Sequence, residues 1–277
     1  MLDLSLTDDI ILRALKEDMP MGDLTTDSTV PEDEVCSASL IAKEEGVIAG
    51  LEVFERVFVI LDPRIYIERY VKEGERVAAG DRILHLSGNA RAMLKAERTA
   101  LNLLQRMSGI ATATRKFADI LKGTSSKIVD TRKTAPGMRY LDKYAVRAGG
   151  GTNHRFCLSD GVLIKDNHIK AAGGITQAVR KAREVVPHTI RIEVETETMD
   201  QVKEALEAGA DIIMLDNMKP GAMKEAVDYI SGRALTEASG NITAEKTEII
   251  AKTGVDFISS GSLTHSVRAL DISLRFE

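Results

Sequence analysis

The chain has 277 residues, 44% hydrophobic and 29% charged, which is a globular composition long enough for two ordinary domains or one full barrel. A net charge of -5, no Trp and 4% aromatics argue against a general nucleic-acid or anionic-membrane binder, which needs a basic face or a stacking platform. Cys36 and Cys157 form no CxxC pair, the first twenty residues are acidic, and no apolar run approaches about 18 residues; a cytoplasmic chain without disulfides, leader or membrane span is expected.

In chain order, Thr7 is placed to cap a helix through Lys16, and Val35 to Ala49 reads as strands turning at Glu45-Gly46. A helix around Phe54 to Leu61 and strands at Ile65 to Tyr70 and Arg82 to Leu86 follow. Between those strands, Val71 to Asp81 looks like a biotinyl or lipoyl strand pair. With no modifiable Lys on a tight turn, a plain hairpin-rich sandwich is favoured. Leu94, Leu101, Leu104 and Met107 then recur at helical spacing, predicting a helix from Ala90 to Met107 that carries Glu97, Arg98 and Arg106.

Beyond Gly109 one pattern repeats: a short β-branched run, a polar residue, then an amphipathic helix. The runs are Lys127 to Thr131, Val162 to Ile164, Ile190 to Val194, Asp211 to Leu215, Ala234 to Thr236 and Asp256 to Ile258. Helices are expected at Ile175 to Val186, Met199 to Ala208, Ala222 to Ile230 and Ala244 to Thr253. An open doubly wound sheet would concentrate its site at one switch point, whereas here nearly every run ends on a polar residue, which favours a barrel. The fold class read from the chain is α/β: an N-terminal α/β sandwich domain over 1–109, joined by 268–277, then an incomplete TIM-like α/β barrel over 110–267.

The strand ends supply Arg132-Lys133, Lys165, Glu195, Asp216-Asn217, Ser239-Gly240 and Ser260-Gly261. Any one of these is an ordinary solvated or ion-paired terminus; six in succession on one rim are not. The segment from 130 to 170 holds eight Lys/Arg against four Asp, a local excess of positive charge in an acidic chain. Arg132, Arg155 and Lys165 suit carboxylates, since Arg binds them bidentately and Lys adds a compact charge. Gly149-Gly150-Gly151 permits close backbone approach to a ligand beside His154 and Arg155, and matches neither GxGxxG nor a P-loop. Ser239-Gly240-Asn241 and Gly261 stand before helices, where phosphate binds on backbone N–H groups. Glu195 and Asp216 suit Mg²⁺ or sugar hydroxyls; otherwise they ion-pair with Lys165 or Arg132. His168 either orders its loop or acts directly, and Cys157 reads as a small core residue.

Several ordered segments together resemble the quinolinate phosphoribosyltransferase family. They include Glu97-Arg98-Thr99-Ala100-Leu101-Asn102, Asp130-Thr131-Arg132-Lys133-Thr134-Ala135-Pro136-Gly137, Gly149 to Arg155, Leu163 to Ile169, Glu193-Val194-Glu195, Met214-Leu215-Asp216-Asn217 and Glu237-Ala238-Ser239-Gly240. The resemblance implies transfer of phosphoribose from phosphoribosyl pyrophosphate to quinolinate with Mg²⁺, giving nicotinate mononucleotide, CO₂ and pyrophosphate for NAD biosynthesis. It implies Arg132, His154, Arg155 and Lys165 on the dicarboxylate, with Lys165, Glu195 and Asp216 as the catalytic set. Glu195 and Asp216 face ribose and metal, Ser239, Gly240, Asn241 and Gly261 the phosphate, and Lys133 the pyrophosphate. It also implies a homodimer or larger assembly of dimers in which Arg98 enters the neighbouring site. Two positions depart from the family pattern: Asn241 stands where a Gly is common, and Ala148 where a Cys is common.

Three alternatives are a molybdenum-associated homologue, which generally lacks the Lys-Asp-Asn-His found at 165 to 168, a Schiff-base aldolase acting through Lys165, and a non-catalytic barrel that binds an anionic metabolite.

Overall fold

Ladder pairing on both edges of Val35–Ala42 makes β1 an interior strand of an antiparallel sheet in the computed structural model, which describes residues 2–277. The first unit comprises residues up to Arg115, Thr134–Gly150 and Leu263–Glu277. Its strands are β1, β2 (Gly46–Val47), β3 (Tyr66–Arg69), β4 (Arg76–Val77), β5 (Arg82–Asn89) and, last in the chain, β12 (Ile272–Phe276). The sheet order is β12-β1-β5-β3, so the final strand pairs with the first. Leu40, Leu84 and Leu86 from the sheet and Phe54 and Phe58 from the helix Leu51–Leu61 are fully buried. Each such side chain contributes roughly 1.5–3 kcal/mol by burial.

Within Val71 to Asp81, β4 pairs antiparallel with β2, some thirty positions earlier in the chain. Two expectations are corrected here. The first helix spans Leu4–Asp18 and is capped by Asp3, whose side chain accepts the Ser5 N–H; Thr7 lies inside it, buried, with its hydroxyl on Asp3 O at 2.8 Å. The helix begun at Ala90 does not stop at Met107 but runs to Ile120. Gly109, the apparent breaker, is required by packing, since a Cβ there would lie 2.2 Å from Arg268 O. Arg139–Ala148 forms a further helix, which buries Asp142 and Lys143 together with Leu141, Ala145 and Val146. Asp142 is held by Arg106 through two hydrogen bonds of 2.9 and 2.7 Å.

The second unit comprises Lys116–Lys133 and Gly151–Ser262. The segment Thr134–Gly150, expected in the barrel, therefore clusters with the first unit. Six parallel strands, β6 (Lys127–Val129), β7 (Val162–Ile164), β8 (Ile192–Thr196), β9 (Ile212–Asp216), β10 (Leu235–Ser239) and β11 (Phe257–Ser259), lie in the order β6-β11-β10-β9-β8-β7. Helices connect them, as parallel pairing demands. Ladder pairing is absent between β6 and β7 among the described residues, so the barrel is incomplete, as expected. Thr152 partly fills the gap by a single bridge to Val129, with Thr152 N–H donating to Ile128 O at 2.9 Å.

Candidate active site

Three of the six strand ends, Arg132-Lys133, Lys165 and Ser239, line one cavity; Glu195, Asp216, Gly240, Asn241 and Gly261 are not among its lining residues. This cavity of about 330 Å³ opens at the C-terminal ends of the barrel strands, lined by Arg132, Lys133, His154, Arg155, Lys165 and Ser239, with Leu163 and Met214 as apolar wall. A larger cavity of about 580 Å³ lies toward the other ends, where Val162, Arg191, Ile212 and Phe257 begin or precede their strands. It has no Lys in its lining.

Asp130, which follows β6, is fully buried and organises the cationic wall. Its two oxygens accept Asn153 Nδ2–H at 2.6 Å and the His154 backbone N–H at 2.9 Å. Arg155 extends from this pinned segment and donates from Nη1 to Gly161 O at 2.8 Å. Burial, and then the neighbouring Arg132, lower the pKa of its guanidinium, so an incoming anion relieves an existing electrostatic cost. Arg132 Nε is buried without a hydrogen-bond partner. A carboxylate in the cavity would supply one.

Lys165 directly precedes the helix Asp166–Ala172, and its backbone N–H donates to His168 Nδ1 at 3.0 Å. His168 thus orders the helix start. The Lys165 ammonium donates to Glu195 Oε2 at 2.8 Å, the ion pair weighed from sequence. Glu195 and Asp216 lie on neighbouring strands; Asp216 stands in register with Ser239 and accepts Asn217 Nδ2–H at 2.7 Å.

After β10 the chain turns through left-handed conformations at Gly240 (φ 93) and Asn241 (φ 48), opposite Asn217 (φ 53). Any side chain at Gly240 would lie 2.3 Å from Asn217 Oδ1 and 2.8 Å from its backbone N. Asn is among the few residues that enter this region readily, so Asn241 retains the geometry of the commoner Gly. Past β11, the hydroxyls of Ser260 and Ser262 meet at 2.8 Å on either side of Gly261.

Other expected roles change. Gly149 serves packing rather than a ligand, since a Cβ would lie 2.6 Å from Ala111 O; Gly150 is left-handed (φ 92). Cys157 is half-buried rather than in the core. His154 lines the cavity; its Nδ1 accepts the Arg155 N–H at 2.7 Å and its Nε2 lies 3.0 Å from Glu193. Arg98 is exposed on the long helix of the first unit.

Glu193 and Glu237 escaped the sequence reading. Each stands two residues before a recognised site residue, Glu195 and Ser239, and so faces the same side of its strand. That spacing was the available signal. Among the described residues, the one group of three side chains with metal-ligand spacing is His154, Glu193 and Glu237. Glu195 and Asp216 are not in that group; a Mg²⁺ ion held by them would take its remaining ligands from water and substrate phosphates.

Two family models cover most of the chain: the quinolinate phosphoribosyl transferase N-terminal domain matches residues 23–108 and the C-terminal domain residues 110–275. The chain belongs to the quinolinate phosphoribosyltransferase family. It is 48% identical over 258 residues to a probable nicotinate-nucleotide pyrophosphorylase (carboxylating) of Bacillus subtilis, covering 93% of this chain and 89% of that one. A chloroplastic nicotinate-nucleotide pyrophosphorylase of Arabidopsis thaliana is 46% identical over 287 residues, covering 97% and 82%. The nicotinate-nucleotide pyrophosphorylase structure from Francisella tularensis superposes with a TM-score of 0.95 at 41% identity, covering 100% and 98%. This family provides the reaction against which the cationic cavity is read below.

Proposed function

We propose that the chain is a decarboxylating phosphoribosyltransferase of NAD biosynthesis. It joins C1′ of phosphoribosyl pyrophosphate to the ring nitrogen of quinolinate, releasing pyrophosphate, and then CO₂ leaves to give nicotinate mononucleotide. The observation that carries this reading is the buried, unpartnered Arg132 Nε in a cavity shared with Arg155 and Lys165. Three fixed cations suit a ligand bearing two carboxylates.

Arg132, Arg155 and Lys165 hold the dicarboxylate, and Lys133 meets the pyrophosphate. Ser239, Gly240, Asn241 and Gly261 hold phosphate on the turns after β10 and β11. Glu195 and Asp216 orient ribose hydroxyls and hold Mg²⁺, which neutralises pyrophosphate charge when bound. The ring nitrogen attacks with its own lone pair, so no general base is needed. As the C1′–O bond breaks, Glu195 and Asp216 stabilise positive charge growing on the ribose, and positioning supplies much of the acceleration. The bond to the departing carboxylate leaves its electrons on the pyridinium ring, and a proton from solvent completes the product.

We read the active assembly as a dimer, or a set of dimers, in which Arg98 completes the neighbouring site. A cytoplasmic location is supported by two free thiols, and no described helix is long and apolar enough to cross a membrane. A Schiff-base reading is disfavoured because Lys165 is ion-paired and half exposed, unlike a desolvated amine. The deciding assay is CO₂ release from carboxyl-labelled quinolinate with phosphoribosyl pyrophosphate and Mg²⁺. Release dependent on all three is expected, and its absence overturns the reading.

A further inference from the structure

Beneath the cationic wall, Glu193 on β8 and Glu237 on β10 are each 3% exposed and converge on one atom. Their Oε2 atoms lie 3.0 and 3.6 Å from His154 Nε2. Their other oxygens, both Oε1, are buried without a hydrogen-bond partner. Such a cluster holds either a metal ion or protons. The three ligand atoms lie within 4.8 Å of one another, close enough for a divalent transition metal. The second nitrogen of the ring decides between them. His154 Nδ1 accepts the Arg155 N–H, so the neutral ring carries its proton on Nε2, where a metal would have to bind. Nε2–H instead donates to Glu193. Two buried carboxylates side by side do not both ionise, and burial followed by the Glu193 charge pushes the Glu237 carboxyl up to about 8.

His154, Arg155 and Glu237 line both the substrate cavity and the larger cavity toward the strand starts, and Glu193 lines the latter. The cluster is thus a partition, and Arg155 has open space on either side of it. Glu193 also attracts the Arg155 guanidinium.

We propose that Glu193 and Glu237 are positioning residues for dicarboxylate binding: they lock the His154 ring, whose Nδ1 fixes the Arg155 backbone, and so keep the Arg155 guanidinium on the substrate side. This rests on quinolinate being the substrate. Ionisation of Glu237 adds a further negative charge among Glu193, His154, Arg155, Asp130 and the Ser259 hydroxyl, which weakens dicarboxylate binding.

The test compares steady-state kinetics of the full-length wild type, Glu193→Leu and Glu237→Gln. Calorimetric titration with benzene-1,2-dicarboxylate, which has no ring nitrogen to react, runs in parallel. In Glu193→Leu the KM for quinolinate is expected to rise about tenfold or more, while kcat and the KM for phosphoribosyl pyrophosphate move less than about threefold. Affinity for the unreactive dicarboxylate should fall in step, with no loss of thermal midpoint. In the wild type the quinolinate KM should climb from about pH 7 to about pH 9, and Glu237→Gln should flatten that climb. Should the Leu variant fail to fold, Glu193→Gln, which keeps an acceptor but no charge, is expected to give a smaller rise of the same kind. Unchanged dicarboxylate affinity in a folded Glu193 variant overturns the proposal, as does a parallel loss of kcat, both KM values and thermal midpoint. If the wild type shows no turnover, the assigned reaction fails, and the dicarboxylate titration still tests the positioning role.

Discussion

Lys165 Nζ lies 2.8 Å from Glu195 Oε2, so the cation offered to a substrate carboxylate is already paired with a carboxylate assigned to ribose. The two substrates are therefore coupled through one ion pair. Removing the lysine loses a substrate contact and also leaves Glu195, only 14% exposed at its side chain, without its partner. Lys165→Ala should lower kcat/KM by about 10²-fold or more. Combined with Glu195→Ala, the losses should fall short of their sum, with a coupling of about 0.5–3 kcal/mol in a double-mutant cycle.

The turn after β10 makes a different demand, on backbone alone. Gly240→Ala combines φ 93 with a Cβ 2.8 Å from the Asn217 N, so the turn has to move. We expect a stability loss above about 1 kcal/mol in urea denaturation. The KM for phosphoribosyl pyrophosphate should rise about tenfold or more, since small displacements of a binding turn are costly. Asn241→Gly, at φ 48, should change stability by less than about 1 kcal/mol.

Stability should depend on pH through Glu237. Its carboxyl is raised from 4.5 to about 8 in the fold, chiefly by burial. Between those values the unfolded chain has lost this proton while the folded chain keeps it, so folding takes up a proton. The contribution is full below the lower value, declines as pH rises toward about 8, and is then lost. The thermal midpoint of the wild type should fall across that interval, and the fall should be smaller in Glu237→Gln. Equal slopes in the two proteins would count against a raised carboxyl.

The shared-site reading makes its own prediction. Arg98→Ala and Lys165→Ala, each impaired alone, should regain part of the wild-type activity when mixed, because a hybrid dimer holds one site that carries neither substitution. No recovery, with subunit exchange shown by mass spectrometry, sinks the idea that Arg98 crosses between subunits.

The barrel was legible because its signals are local: β-branched runs, polar ends and helical spacing each occupy a few neighbouring residues. Three of the strand ends named from sequence, at Arg132, Lys165 and Ser239, meet in one cavity for the same reason. What stayed hidden depends on distant partners. Helix Arg139–Ala148 buries a Lys and an Asp beside its apolar residues, and Asp142 is held there by Arg106 and by the Ala135 N–H. Gly109 looks like a stop until the backbone at Arg268 is seen against it. Glu193 and Glu237 read as interruptions of two strands until His154 joins them.

The single bridge between Val129 and Thr152 ties the edge of β6 to the segment that delivers His154 and Arg155. On the proposed assignment, substrate recognition is thereby tied to sheet pairing. Adding or deleting one residue between Thr152 and Arg155 would leave the edge bonded while exchanging inward and outward side chains. Length in this stretch is consequently under tighter constraint than in an ordinary surface loop, and changes of specificity there have to come by substitution.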